Sequence, residues 1–580
     1  MTKEAIAEVL TNIARLLEIK GESPFKVRAY QRGARVLETL SGDLGAMVEA
    51  GTLTGVEGIG AALEEKITAL VRTGRLDYYE KLREEFHPDI LTLFEIQGLG
   101  GKKIKALYDA LGICTIPKLE RACKNGSIAK LPGFGEKSAA NFLEAIALRK
   151  RSAGQFLISD ALPVALHILE DLRGHPAVGR AELAGSLRRR KPVVRDLDFL
   201  VSTGQPEEVI AFFTGHARVE KTLACGETKA SVLVDGGIQC DLRAVGRDEF
   251  PFALAYFTGS KEHNVRLRER ALERGWSLNE YRLSASPSAN PPPAIHTEED
   301  LHRALGLDYI PPELREDLGE FDAAEKNALP RLLEWTQLRG AFHNHTTASD
   351  GRSSLQEMVA AARELGLDYL GIADHSKSAT QARGLDEKRL LEQLAEIQEL
   401  NAAFEGSFRI FAGTECDIRK DGTLDFSDEI LGQLDYVVVS IHSAFTLSEK
   451  AMTDRIIRAL SNPHATMLAH PTGRLLLTRE AYAVNMPAVI EAAAETGTII
   501  ELNANPRRLD MDWTWWPLAR AQGVRCAINP DAHSAAALSY LRIGAEVARK
   551  GWLTREDVLN TLPTPQAAAA LARKKQKPST

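Results

Sequence analysis

Asp196 and Asp198 stand two residues apart in the run AGSLRRRKPVVRDLDFLVS, Ala184–Ser202. On a strand that spacing turns both carboxylates to one face, and carboxylates on one face bind hard divalent cations. Asp241, in the strand-like run IQCDLR, supplies a third. Three such groups suit two ions about 3.5–4 Å apart, which clamp the attacking and leaving oxygens of an in-line displacement. Gly185 lies eleven residues before Asp196 and is followed by Ser186 and a short basic run. The Ser186 hydroxyl, the turn's N–H groups and the Arg189 guanidinium would hold a triphosphate tail. A lone Asp-x-Asp is often a solvated strand edge. The Gly-Ser turn upstream and the later Asp make this one a catalytic pattern.

The second half places imidazoles and carboxylates at the ends of successive apolar runs. AFHNHTTASDG carries His343, His345 and Asp350, and YLGIADHS carries Asp374 and His375. FRIFAGTECDI carries Glu415, YVVVSIHS carries His442, ATMLAHPTG carries His470, and VRCAINPDAHS carries Asp531 and His533. A seventh run, TGTIIELNANP, ends at Asn503 without an obvious ligand. Strands of a β/α barrel bring such ends to one mouth. One histidine at a strand end is usually a satisfied core residue; six coincident strand ends make a metal site. Mixed imidazole and carboxylate donors suit manganese, zinc or iron. They exceed the needs of one ion, so two or three are expected, able to activate water and stabilise charge on a phosphoryl group. Lys377, Arg383, Arg419 and Arg474 lie nearby and could hold a nucleic-acid phosphate, although each alone is more often a surface charge.

Three glycine turns repeat one design: GVEGIG with Gly58 and Gly60, IQGLGG with Gly98 and Gly100, and LPGFGEK with Gly133 and Gly135. Each allows a positive φ and precedes a helix. Free N–H groups at a helix start bind phosphate without reading bases. One such turn would be an ordinary helix connection. Three, two of them followed by lysines (Lys102, Lys103 and Lys137), point to a nucleic-acid backbone.

These residues need elements to position them. Apolar spacing predicts helices over Ala5–Leu17, Val27–Leu40, Leu63–Val71 and Ile104–Leu111. Short β-branched runs at Leu197–Val201 and Ser231–Val234 predict strands. A polar stretch near Gly319–Leu333 separates the halves, and a β/α alternation runs from about Arg339. The 580 residues, 44% hydrophobic and 26% charged, exclude wholesale disorder and predict several domains. No apolar run is long enough for a membrane span, and the acidic N-terminus lacks an export signal core. Six scattered cysteines without CxxC fit a reducing cytoplasm. Net charge is −7, and residues 1–320 carry 43 Lys and Arg against 46 Asp and Glu, so DNA binding must rest on local geometry.

The Gly-Ser turn, Asp-x-Asp and later Asp resemble the nucleotidyltransferase palm of family X DNA polymerases, the DNA polymerase beta group. YFTGSKEHNVRLRERALERGWSLNEY, Tyr256–Tyr281, resembles that family's thumb, and ALGLDYIPPELRE, Ala304–Glu316, closes the unit likewise. The first two glycine turns resemble its helix-hairpin-helix pair. The resemblance implies that Tyr256, Phe257 and Asn264 line the incoming nucleotide and that Arg268 sits near the template. Lys66 matches the family's Schiff-base nucleophile for removing 5′-deoxyribose phosphate, with Lys26 and Tyr30 beside it. Ala62 and Tyr78, however, stand where basic residues are usual. The histidine-rich half resembles the polymerase and histidinol phosphatase (PHP) domain, and nine positions match its ligand set: His343, His345, Asp350, His375, Glu415, His442, His470, Asp531 and His533.

The expected fold is multidomain α/β. It comprises a helical N-terminal region (1–86), fingers with two helix-hairpin-helix motifs (87–155), an α+β nucleotidyltransferase palm (156–245) and thumb (246–318), a linker (319–336) and a distorted (β/α)7 barrel (337–572). The expected function is gap-filling repair synthesis, with base excision repair as its setting. Two Mg2+ or Mn2+ ions serve the palm and two or three Mn2+, Zn2+ or Fe ions the barrel. The barrel would be a manganese-dependent 3′–5′ exonuclease, with cleavage at abasic sites a second expected activity. The partners are gapped or nicked DNA and deoxynucleoside triphosphates, and the protein is expected to be a nucleoid-associated cytoplasmic monomer. The alternatives are a nuclease with a non-catalytic DNA-binding palm, a barrel acting on pyrophosphate or nucleotides, and a non-enzymatic DNA-end adaptor.

Overall fold

The computed structural model describes residues 1–40, 43–56 and 58–572. Two compact units emerge: Met1–Ala153 with Leu477–Arg479, and Gly154–Leu476 with the residues from Glu480 on.

The first unit is helical. Its principal helices are α1 (Lys3–Lys20), α2 (Pro24–Thr39), α3 (Ala61–Thr73), α4 (Gly101–Leu111) and α5 (Glu136–Ser152). The Thr2 hydroxyl caps α1, and Gly21, at φ 83°, ends it. Ile6, Leu10, Ile13 and Leu17 form one face of α1 and are buried with Ile67, Ile104 and Phe142. The four helices read from apolar spacing are present, extended by a few residues at their capped ends.

The second unit opens with α6 (Ile158–Gly174) and a sheet of β1 (Arg180–Leu183), β2 (Asp196–Ser202), β3 (Val219–Cys225), β4 (Lys229–Val234) and β5 (Ile238–Val245). The strand order is β1-β2-β5-β4-β3. β2 and β5 run parallel and place Asp198 opposite Asp241. Leu197, Phe199 and Val201 of β2 bury against Ile168 and Leu172 of α6. The alternate face packs Leu200 against Phe250 and Leu254 of α7 (Phe250–Thr258). Tyr256 and Phe257 therefore end a helix, and Ser260 caps the next, α8 (Lys261–Glu273). The 319–336 linker is packed rather than free. Phe321, Ala324 and Leu332 join the core around Leu267 and Leu301. Glu320 is buried because its carboxylate accepts the Asp317 and Leu318 N–H groups and meets His263 Nδ1 at 2.8 Å.

Eight parallel strands follow: β6 (Gly340–Ala341), β7 (Tyr369–Ile372), β8 (Arg409–Ala412), β9 (Glu415–Asp417), β10 (Val438–Ser440), β11 (Met467–Leu468), β12 (Ile499–Asn503) and β13 (Cys526–Asn529). The third expected run is thus two strands, broken at Gly413, where a Cβ would meet the buried Tyr436 ring at 2.5 Å. Isolated bridges His375↔Glu415 and Asn344↔Ala532 carry the pairing across that break and from the last run to the first. Asn560 Nδ2 donates to Gly340 O at 3.0 Å and Ile528 O at 2.8 Å, tying β6 to β13. Helix α9 (Leu541–Lys550) follows β13. No described helix is long and apolar enough to cross a membrane.

Candidate active sites

Asp196 and Asp198 alternate along β2 with Leu197 and Phe199, so the strand that buries its apolar side presents both carboxylates on the other. Asp241 joins them from β5, and Gln239 Nε2 donates to both its oxygens at 3.2 Å. Gly185 begins the facing short helix at φ 60°; a Cβ there would meet Asp198 Oδ2 at 1.9 Å. Only glycine permits that approach. Burial and the charges of Asp196 and Asp241 push Asp198 up to about 7, and burial and Asp241 also raise Asp196. The three side chains do not bring one oxygen each within 4.8 Å of one another.

Ser186 is half-buried beside Gly185. Arg189 is already engaged: its Nε donates to Glu316 at 3.0 Å and its Nη1 to Thr258 O at 2.7 Å. Tyr256 and Phe257 meet edge to face, with centroids 5.1 Å apart. Asn264 Nδ2 donates to Tyr256 O at 2.6 Å. Asn264 and Arg268, four apart on α8, line a small cavity with Tyr256 and Asn279.

In the C-terminal half, all nine ligand-pattern residues come together. Four overlapping groups each bring their donor atoms within 4.8 Å: His345, Asp350, His375 and His533; His343, His345 and Glu415; His343, His470 and Asp531; His375, Glu415 and His442. Glu415 is the hub. Its Oε1 lies 2.9 Å from His470 Nε2 and 3.3 Å from His442 Nε2. Its Oε2 lies 2.8 Å from His375 Nδ1 and 3.4 Å from His343 Nε2. Burial works against the Glu415 charge, but His442, His375 and His343 hold it well below the carboxylate range. Burial also opposes His442, yet Glu415 and Asp417 lift it to about 10. Burial, then neighbouring His533 and His375, push His345 down to about 4; burial and Arg508 do the same to His470. His343, His470 and Asp531 occupy left-handed backbone at φ 54°, 27° and 49°, as constrained site residues do.

A second layer holds these ligands. His343 Nδ1 meets Glu501 at 2.6 Å, and Glu501 also accepts the His470 N–H at 2.9 Å. His442 Nδ1 meets Asp417 at 2.6 Å. Asn503 Nδ2 reaches Glu501 and Asp531, and Arg508 Nε lies 3.2 Å from Asp531. Sequence reasoning missed all four. A charged residue inside the apolar run TGTIIELNANP was the available signal for Glu501. Asp374, by contrast, ties a loop: it accepts from the Thr346 N–H and hydroxyl and from Gln393. The four nearby cations are also structural ties. Lys377 pairs with Glu387, Arg419 with Asp425 and Arg474 with Asp512, while Arg383 donates to Ser349 O.

The cluster around Glu415 is gathered as divalent ions require, and the palm carboxylates have the donor chemistry without being gathered. In the barrel half, His343 Nε2, His345 Nε2, His375 Nδ1 and Glu415 Oε2 are buried without a hydrogen-bond partner and face one another. In the sheet, three stacked carboxylates offer only hard oxygen donors, and a cation would relieve the strain on Asp198. A further trio, His167, Asp171 and His216, also gathers within 4.8 Å. His216 Nδ1 accepts the Arg218 N–H at 3.2 Å and its Nε2 lies 2.8 Å from Asp171, so both ring nitrogens are already engaged.

In the helical unit, Gly58, Gly98 and Gly133 have φ of 104°, 84° and 82°. Gly60, Gly100 and Gly135 stand at the N-termini of α3, α4 and α5, where no described side chain caps the helix. A Cβ on any of these last three would meet nothing within 4 Å, although the Glu18 carboxylate lies against Gly101, the first residue of α4. Lys66 Nζ donates to Ala62 O at 3.0 Å and lies 5.5 Å from the Tyr78 ring centre, and Tyr78 stacks on Tyr30.

Comparison with known families follows this geometry. Residues 1–76 match a helix-hairpin-helix domain and 90–147 a SAM-like helix-hairpin-helix tandem. Residues 253–316 match the DNA polymerase beta thumb and 341–504 the PHP domain. The chain is 37% identical over 575 residues to the DNA polymerase/3′-5′ exonuclease PolX of Bacillus subtilis (strain 168), spanning 99% of this chain and 100% of that protein. It is 27% identical over 230 residues to a probable phosphatase of Thermoanaerobacter sp. (strain X514), 38% of this chain and 89% of that one. A probable phosphatase of Acetivibrio thermocellus is 31% identical over 202 residues, 33% of this chain and 78% of its own length.

Proposed function

Since the chain belongs to the PolX group of family X DNA polymerases, which joins a polymerase to a PHP domain, we propose that it fills short gaps and trims 3′ ends at two separate active sites. Membership makes it a DNA polymerase with 3′–5′ exonuclease function. The observation that carries the two-site reading is the pair of separate residue sets: Asp196, Asp198 and Asp241 on one sheet, and nine residues around Glu415 at the ends of the C-terminal strands.

In the palm, Asp196, Asp198 and Asp241 would hold Mg2+ or Mn2+, which when bound supplies Lewis acidity to the oxygens at the α-phosphorus. The turn at Gly185 and Ser186 offers N–H and hydroxyl donors to the triphosphate, with Arg189 beside it. The primer 3′-hydroxyl displaces pyrophosphate in line. Asn264 fixes the end of α7, so Tyr256 and Phe257 present a rigid wall to the nucleotide. Arg268, four residues on, is positioned toward the template. The amides ahead of α3, α4 and α5 hold the DNA backbone. Lys66 is the residue for deoxyribose-phosphate removal.

The C-terminal half we read as a distorted (β/α)7 barrel, which the strand pairing and the two bridges support. Its nine ligands would hold two or three ions, manganese first, supplying Lewis acidity to water and phosphoryl oxygens. Glu501 and Asp417 fix the rings of His343 and His442. Neutral His345 and His470 keep ring lone pairs for an ion at neutral pH. Domain limits of 1–86, 87–155, 156–245, 246–318, 319–336 and 337–572 enclose every matched family segment. A reducing cytoplasm, near the nucleoid, suits a chain whose six cysteines are all unpaired.

The test is a 5′-labelled primer on a one-nucleotide gap with manganese. Lengthening with deoxynucleotides and shortening without them support the reading; absence of either removes that half. The relatives named as probable phosphatases, which match about a third of this chain, favour one second reading, a barrel acting on small phosphate esters or pyrophosphate. In that case pyrophosphate would be hydrolysed and the primer left intact.

A further inference from the structure

The turn after Ser186 carries four consecutive cations, and each has a carboxylate partner. Arg188 pairs with Glu298, Arg189 and Lys191 with Glu316, and Arg190 with Glu546. Glu546 belongs to α9, the helix that follows the last barrel strand, as does Lys550 one turn on. Lys550 Nζ lies 2.6 Å from Glu316 Oε1 and donates to Glu313 O at 3.2 Å. It is fully buried, and Glu316 is 8% exposed.

Resting on the polymerase reading of the palm, we propose that α9 of the barrel half is part of the nucleotide pocket. Through Lys550 and Glu546 it holds the Gly185–Lys191 turn in the shape that offers Ser186 and Arg189 to a triphosphate. Three observations carry this. First, Glu316 is shared: Arg189 Nε at 3.0 Å and Lys550 on Oε1, and Lys191 at 3.1 Å on Oε2. Three cations on one carboxylate leave positive charge beside the Gly-Ser turn, which suits a polyanionic tail. It also leaves Glu316 paired when Arg189 swings toward phosphate. Second, Arg190 sits at φ 58°, a backbone that residues with a Cβ resist, and Glu546 fixes its side chain at 2.7 Å. Third, one ring spans the contact: Trp513 lies under both Lys191 and Lys550. Burial draws Lys550 down to about 8, against the pull of Glu316, so it remains largely cationic at neutral pH. Lys550 acts through Glu316 and is a positioning residue.

The experiment uses the full chain, gapped DNA and the complementary deoxynucleotide. Lys550→Met is expected to raise the nucleotide KM about tenfold, with kcat within about twofold. The half-exposed Glu546→Gln should raise it about threefold and carries the test if Lys550→Met does not fold. Lys550→Arg should restore the wild-type KM, and manganese-dependent shortening of the same primer should be unchanged throughout. A wild-type KM in both variants overturns the inference, as does an equal fall of extension and shortening at matched folded fraction. A wild-type protein that does not extend the primer would instead remove the polymerase reading itself.

Discussion

The palm and the barrel half hold charge in opposite ways. In the palm, Asp196, Asp198 and Asp241 are all acids, and burial, with the charges of Asp196 and Asp241, pushes Asp198 up to about 7. Around Glu415 acids and imidazoles alternate, so Glu415 stays well below its usual range while His442 rises to about 10 and His533 to about 9. The barrel cluster is pre-assembled by its own charges, whereas the palm cluster stores a repulsion that a cation relieves.

The largest effect that sharpens this contrast is loss of chemistry. Asp198→Ala should cut primer extension by about 10³-fold, several kcal/mol of transition-state stabilisation, and leave shortening intact. Stability should then separate the two sites. In EDTA at pH 8, Asp198→Asn should raise the melting temperature by a few degrees, whereas Glu415→Gln should lower it, because it strands buried imidazolium. The sign follows from linkage. A carboxyl raised from 3.8 to about 7 in the fold opposes folding once ionised. The Asn advantage should therefore fade as pH falls from 8 toward 4. Equal melting shifts in the two variants would break the comparison. Next, Glu501→Gln should slow shortening about 10- to 100-fold through the His343 ring it orients, with extension unchanged. Smallest, Gly133→Ala forces a Cβ into φ 82° and should weaken DNA binding a few-fold, raising the DNA KM of both activities equally.

Much of this was legible in the sequence because it is local. A two-residue spacing on a strand puts Asp196 and Asp198 on one face wherever the strand goes. The glycine turns specify positive φ and a bare helix start by composition alone. The nine residues expected as ligands stand at the ends of apolar runs, and parallel strands bring those ends together. What was hidden depends on partners far along the chain. Glu501 serves His343, 158 residues away, and reads as an odd charge in an apolar run. The break of the third run follows from the Tyr436 ring against Gly413. Arg189 reads as a free phosphate ligand until Glu316, 127 residues on, is folded against it. Lys550 and Glu546 read as ordinary helix charges, and only packing of α9 on the Gly-Ser turn gives them a partner in the palm.

The central claim is that one chain holds two independent active sites. The most direct measurement runs Asp198→Ala and His343→Ala side by side on a 5′-labelled primer at a one-nucleotide gap, with manganese, with and without deoxynucleotides. The account predicts that deoxynucleotide-dependent extension vanishes only in Asp198→Ala and deoxynucleotide-independent shortening only in His343→Ala. Shortening that survives His343→Ala, or extension that survives Asp198→Ala, would contradict it.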